Sequence, residues 1–179
     1  NHPSSQLSQH QKGTMSNTVT SETIQFDNGA ELCLHSWNKE STLPAIVIFH
    51  GFLGHGLYPT VRYTAELFVN AGYPVLAADA RGHGRSPGLK GYLPSRTILI
   101  EDGVNIVKYA RDKHVSTSCF LVGSSMGGAI ALAVSQQVDN VAGVVLLAPM
   151  LQLKLGDLER SLLQTLTYIL PNQMYLIPS

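Results

Sequence analysis

Charge is scarce in this 179-residue chain: Asp, Glu, Lys and Arg make up 13% of it, about half the usual ~25%. Such a deficit suggests a surface meant to be partly covered. The charges also balance, with 12 basic and 12 acidic residues. No basic field exists to attract nucleic acid, and none is expected as a partner. No apolar run approaches the ~18 residues of a membrane span. Only two cysteines occur, Cys33 and Cys119, without metal-ligand spacing. They read as free core thiols. Histidine is absent beyond His114, so all seven histidines lie in the first two thirds of the chain.

Residues 1–21 are rich in Ser, Gln, Asn and Thr and carry no apolar pattern. They read as a disordered polar tail, too polar for a secretory signal. The chain opens on Asn1 and reaches its first methionine at Met15, which points to a processing or gene-calling artefact at the start. His2 and His10 fall in this tail and receive no role.

From residue 22 onward, short apolar strands alternate with longer amphipathic stretches, the pattern of an α/β fold. Residues 22–27 and 30–37 form an expected hairpin across Asn28-Gly29. Ala45–Phe49, Pro74–Ala78 and Val141–Ala148 are expected to be buried strands. Residues 58–71 and 97–114 read as helices. The core therefore runs over 22–150. Beyond it, Leu155, Leu158, Leu162, Leu166, Ile169 and Leu170 set an apolar stripe at helical spacing. The segment 151–179 is either a packing element or the start of a lid.

The most informative stretch is Gly123-Ser124-Ser125-Met126-Gly127, a G-x-S-x-G pattern. It needs a strand before it and a helix after it. Ser118–Val122 is strand-like, and 126–138 is rich in small helix formers. Ser125 is thereby a candidate nucleophile, raised on a tight turn. The alternative is a serine that merely caps a helix. As a nucleophile it would sit at a helix start, where free amides favour an oxyanion. The Met126 amide is one expected donor. The second is the Phe52 amide in the loop His50-Gly51-Phe52-Leu53-Gly54.

Other chemistries fit less well. The chain contains neither G-x-x-x-x-G-K-[ST] nor G-x-G-x-x-G, which speaks against nucleotide binding. His50, His55 and His83 lack a metal-binding spacing, so no metal and no cofactor are expected. Asp79 ends a strand, and its expected role is to hydrogen-bond the following turn.

Four segments together resemble the monoacylglycerol lipase group of α/β-hydrolases, also called serine aminopeptidase S33-like hydrolases. They are His50–Gly54, Gly82-His83-Gly84-Arg85-Ser86, Gly123–Ala129 and Leu146-Leu147-Ala148-Pro149-Met150. Gly91-Tyr92-Leu93-Pro94 and the Leu170-Pro171 region look most like the plant-type branch. That branch includes monoacylglycerol lipases, lysophospholipases and caffeoylshikimate esterases. The resemblance implies an α/β-hydrolase fold, a mostly parallel sheet flanked by helices. It implies Ser125 as nucleophile, Phe52 and Met126 as main-chain donors, and His50, Gly51, Gly123 and Gly127 as the framework of loop and elbow. The 82–86 turn is a family turn with no catalytic part.

Members of the family carry a triad acid and histidine after the serine, and no such histidine follows Ser125 here. The sequence thus reads as a hydrolase truncated after the sixth core strand, with the beginning of a helical cap. Among the earlier histidines His55 is the least implausible substitute base. The expected ligand is a lipid-like acyl ester, a monoacylglycerol or lysophospholipid, with a phenylpropanoid ester as the alternative. The expected location is cytoplasmic, with peripheral membrane contact through the cap. This chain alone is expected to be nearly inactive and to self-associate through an exposed strand edge at 141–148. The rival reading is a non-catalytic binding or dimerising module.

Overall fold

The computed structural model describes residues 18–37 and 41–151. Most of the expected tail and the cap segment from 152 onward lie outside the described residues.

The chain enters the fold through a hairpin. Gly29 adopts φ 75°, a left-handed value that glycine reaches without strain. The Asn28 side chain accepts the Ala30 N–H at 3.1 Å, closing the turn. Strand β1 (Thr20–Gln25) pairs antiparallel with β2 (Glu31–Trp37). β1 starts two residues earlier than the sequence suggests, inside the stretch read as tail. Thr20 and Ser21 are ordered because they pair with Ser36 and His35 of β2.

Then come β3 (Ala45–Phe49), α1 (Pro59–Asn70), β4 (Val75–Ala78), α2 (Arg96–His114), β5 (Cys119–Ser124), α3 (Met126–Ser135) and β6 (Val141–Leu147). Local sequence explains the helix ends. Pro59 occupies the first turn of α1, where its missing N–H is harmless. Ser95 caps α2 by accepting the Ile98 N–H, and Arg111 and Lys113 complement the negative end of that helix. α3 stops at Ser135, three residues short of the expected end.

The six strands run in the order β1-β2-β4-β3-β5-β6. β3, β4, β5 and β6 are parallel, and β2 is antiparallel to both its neighbours. Strand periodicity divides the core between two faces. Val47, Phe49 and Leu121 pack with Val107 of α2 and Ala131 and Val134 of α3. Ile46, Ile48, Val122 and Trp37 pack with Val61, Ala65 and Val69 of α1. Each fully buried Leu or Val contributes about 1.5–3 kcal/mol. Both cysteines are free and buried.

β6 departs from its expected burial. Ala142, Val145 and Leu147 are exposed, while Val144 and Leu146 pack on the core. α3 covers one face of the strand. On the other face, α1 sits over β3 and β4, and Val145 and Leu147 stay exposed. Among the described residues β6 pairs only with β5.

A polar clamp ties three segments together. Arg81, just after β4, donates to both oxygens of Asp102 on α2, from Nε at 2.7 Å and from Nη2 at 2.8 Å. Asn28 of the hairpin turn donates to the same carboxylate at 3.0 Å. Asp102 is buried. Asp102→Ala strands both donors, and unfolding free energy should fall by about 3 kcal/mol. A chemical denaturation midpoint that does not move would contradict this.

Candidate active site

The site is built at the junction of β5 and α3. Only Ser125 separates the last residue of the strand from the first of the helix. Its backbone is turned to φ 51°, ψ −118°, a region that side-chain-bearing residues avoid. Main-chain hydrogen bonds hold it there. The Ser125 N–H donates to Leu147 at the end of β6, at 3.0 Å, and the Ser125 carbonyl accepts from Met150 at 2.9 Å and Gly128 at 3.0 Å.

The flanking glycines are there because backbones touch. A Cβ at Gly123 would strike the carbonyl of Gly127, and one at Gly127 would strike the carbonyls of Phe49 and His50. The result is a turn whose flanks are buried and whose serine is exposed. The Ser125 hydroxyl is not spent on capping α3, so the helix-cap alternative fails.

The His50–Gly54 loop lies against this serine. A Cβ built on Gly51 would sit 3.4 Å from Ser125 Cβ and 3.5 Å from the Ser124 carbonyl oxygen. His50 locks the loop from beneath. Its Nε2 is 3.0 Å from the Ala80 N–H. A main-chain amide can only donate, so Nε2 carries the lone pair and Nδ1 the hydrogen. Nδ1 then donates to the Gly51 carbonyl at 2.7 Å. Burial lowers the His50 pKa to about 4, with His83 and His55 adding in the same direction. His50 is therefore neutral, with both ring nitrogens engaged.

Phe52 packs partly against the α2/α3 side of the core, and its ring meets that of His83 edge-on at 5.9 Å. Met126 is buried at the first position of α3. Amides at that position have no acceptor within their helix, and the first described pairing in α3 is from Gly128. Gly51 thus lies against Ser125, while Gly123 and Gly127 let the neighbouring main chains close on the turn.

No described histidine bonds to that hydroxyl. His55 Nδ1 accepts the Leu57 N–H at 3.2 Å. His83 Nδ1 donates to the Arg81 carbonyl at 2.9 Å. His114 is buried at the end of α2, with its pKa lowered by burial and by Lys113.

Asp79 does what its position suggests, and more. Its Oδ2 accepts the Arg85 N–H at 2.7 Å and its Oδ1 the Gly56 N–H at 2.5 Å. Ser86 Oγ donates to its carbonyl at 2.6 Å. The carboxylate also faces His35 Nε2 at 3.1 Å. Burial alone would raise its pKa, but hydrogen bonds from His35, Arg85 and Gly56 outweigh that and hold the carboxyl below its usual range. Sequence reading gave His35 no role; its only signal is a polar residue alternating with Cys33 on a buried strand.

Cys33, His35 and Asp79 place three ligand-type atoms within 4.8 Å of one another. They do not fit a metal. Burial, then Asp79, raises the Cys33 pKa, so the thiol keeps its proton. The Asp79 carboxylate is already engaged by the Gly56 and Arg85 amides and the imidazole.

An exposed serine on a strand–turn–helix elbow, in a sheet of this strand order, defines an α/β-hydrolase. Residues 40–176 match the serine aminopeptidase S33 family (Hydrolase_4), and the chain belongs to it. It is similar to the monoacylglycerol lipase of Mycolicibacterium smegmatis, 31% identical over 66% of this chain and 42% of that protein. It is also similar to the caffeoylshikimate esterase of Arabidopsis thaliana, 32% identical over 46% of this chain and 26% of that one. The Pyrococcus furiosus esterase Pf2001 shares the fold, with a TM-score of 0.66 and 24% identity over 75% of this chain and 51% of that one. The chain spans about half the length or less of the curated relatives it matches.

His50 links stability to pH. It takes a proton near 6.5 when unfolded and near 4 when folded. Between those values the unfolded chain holds the extra proton. Stability is therefore full above pH 6.5 and falls as the pH drops toward 4, by about 3 kcal/mol at ~1.4 kcal/mol per unit. His114 contributes in the same direction, so His50→Gln should flatten the profile without abolishing it. Denaturation curves between pH 4 and 7 that are equally steep in both proteins would refute the assignment.

Proposed function

We propose that this chain carries the nucleophile of a serine ester hydrolase. Ser125 Oγ attacks an ester carbonyl, and the Phe52 and Met126 amides receive the charge on the oxyanion. The alcohol leaves, and water releases the acid from the acyl-enzyme. The observation that carries this reading is the exposed Ser125 hydroxyl at φ 51°, ψ −118°. Such strain persists only where surrounding structure enforces it.

A fatty-acyl ester, a monoacylglycerol or lysophospholipid, is the proposed substrate. Two observations support it. One is the likeness to a protein named monoacylglycerol lipase. The other is an apolar groove of about 720 Å³ that begins at Met126 and runs past Leu99, Ile130 and Met150. The likeness to a caffeoylshikimate esterase keeps a phenylpropanoid ester as the alternative. Among the described residues no helix is long and apolar enough to cross a membrane. Peripheral membrane contact through residues 151–179 is proposed only as part of the lipid reading.

Among the described residues no side chain serves Ser125 as a base, so the polypeptide of residues 1–179 should show almost no turnover. The oxyanion site and binding together leave ~10³–10⁴-fold over water in triad-less serine hydrolases. A fluorophosphonate should label Ser125 slowly, and free imidazole should speed the labelling. Ser125→Ala should abolish that adduct, as mapped by peptide mass spectrometry. A folded chain that never labels at Ser125, with or without imidazole, refutes the reading.

A second reading rests on β6, where Val145 and Leu147 are 42% and 44% exposed. Among the described residues the outer edge of β6 is unpaired, and an unpaired apolar edge templates strand addition, so the polypeptide of residues 1–179 should pair with a second chain there. Sedimentation should show dimers or larger species that Val145→Lys disperses. A clean monomer at all concentrations would count against this.

A further inference from the structure

A hydroxyl, an imidazole and a carboxylate line up on the sheet face that packs against α1, away from Ser125. Ser21 Oγ lies 2.8 Å from His35 Nδ1, and His35 Nε2 lies 3.1 Å from Asp79 Oδ1. His35 and Asp79 are each 1% exposed, whereas Ser21 is exposed. β1 is the outermost strand on its side of the described sheet, so a reagent can reach the hydroxyl. Residues 40–176 carry the family match, and both Ser21 and His35 fall outside it.

The proton positions follow from the partners. Asp79 accepts main-chain N–H groups on both oxygens, from Gly56 and from Arg85, as an ionised carboxylate does. A carboxylate cannot donate, so His35 Nε2 holds the hydrogen between them. In the neutral ring Nδ1 then keeps a lone pair, and the hydrogen between Nδ1 and Ser21 belongs to the serine. A hydroxyl donating to an imidazole that is fixed by a buried carboxylate is the arrangement that activates serine. Here the two ring nitrogens exchange roles.

We infer that Ser21 is a second activated hydroxyl, a covalent acylation site for activated esters with His35 as its base and Asp79 as the group that holds the imidazole. In the step, Ser21 Oγ bonds to the ester carbonyl carbon and its proton passes to His35 Nδ1. The carbon–oxygen bond to the leaving group breaks, and an aryl ester departs as phenolate with the electron pair. His35 then gives its extra proton to solvent. Ser21 sits within a strand, and among the described residues no helix begins beside it. The acyl group should therefore stay on, one per chain, with no turnover. The inference does not depend on Ser125 being catalytic.

The test uses the 179-residue chain with Ser125→Ala, treated with p-nitrophenyl acetate and, separately, a fluorophosphonate. Peptide mass spectrometry should find the adduct at Ser21, formed without added imidazole. Ser95, an exposed serine that caps α2 without a histidine beside it, is the internal reference. Labelling of Ser21 should exceed that of Ser95 by about 10²-fold, the usual contribution of a positioned base. His35→Gln should remove that excess while circular dichroism remains unchanged. Ser21 labelling no faster than Ser95 overturns the inference, as does undiminished labelling in a folded His35→Gln chain. Should His35→Gln fail to fold, the comparison of Ser21 with Ser95 decides alone. Imidazole-dependent labelling at Ser125 in the unmutated chain is a separate readout, so the two sites fail or stand independently.

Discussion

The site depends on a contact between backbones. α3 can begin one residue after β5 ends only if the turn closes against the end of β3, and that requires no side chain at Gly123 or Gly127. Any Cβ there would meet a main-chain carbonyl. Once the chain is this close, Ser125 is the residue left to absorb the change of direction. It takes a left-handed φ that costs of order 1–3 kcal/mol, offset by its main-chain bonds to Leu147, Met150 and Gly128. Exposure of the hydroxyl and the proximity of free helix amides are consequences of the same closure.

Around that turn, two buried side chains organise the neighbouring loops. His50 reaches from the end of β3 to the residue after Asp79 and to its own next carbonyl. Asp79 reaches to Gly56, Arg85 and His35. Both work through main-chain amides, which fix loop positions more rigidly than contacts between long side chains would. Burial makes them costly to leave unpaired. Burial keeps His50 neutral, whereas hydrogen bonds to the carboxylate outweigh burial and keep Asp79 ionised. Chemistry at Ser125 would rely on this framework holding the His50–Gly54 loop still.

Much of this was legible in residue order. The Asn28-Gly29 turn, the all-apolar β3 and the G-x-S-x-G elbow each follow from local rules, and β3 appears with the expected bounds. Less legible was the start of β1, because Thr20 and Ser21 look like the polar tail until β2 pairs with them. β6 was misjudged in its burial, since Val141–Leu147 is apolar throughout and its sequence cannot say which face a helix will cover. His35 gave almost no signal, because its meaning lies in Asp79, 44 residues away.

The sequence by itself determined that a strand, a turn and a helix meet at Ser125, the alternation of strands and helices, and the lack of any histidine after Ser125. These depend on neighbours within a few positions, where sterics and periodicity act directly. Only the tertiary structure decided the strand order, the protonation of His50, the approach of Gly51 to Ser125 and the line from Ser21 through His35 to Asp79. Those depend on which distant segments share a low-dielectric interior, and there burial and the choice of hydrogen-bond partner set where each proton resides.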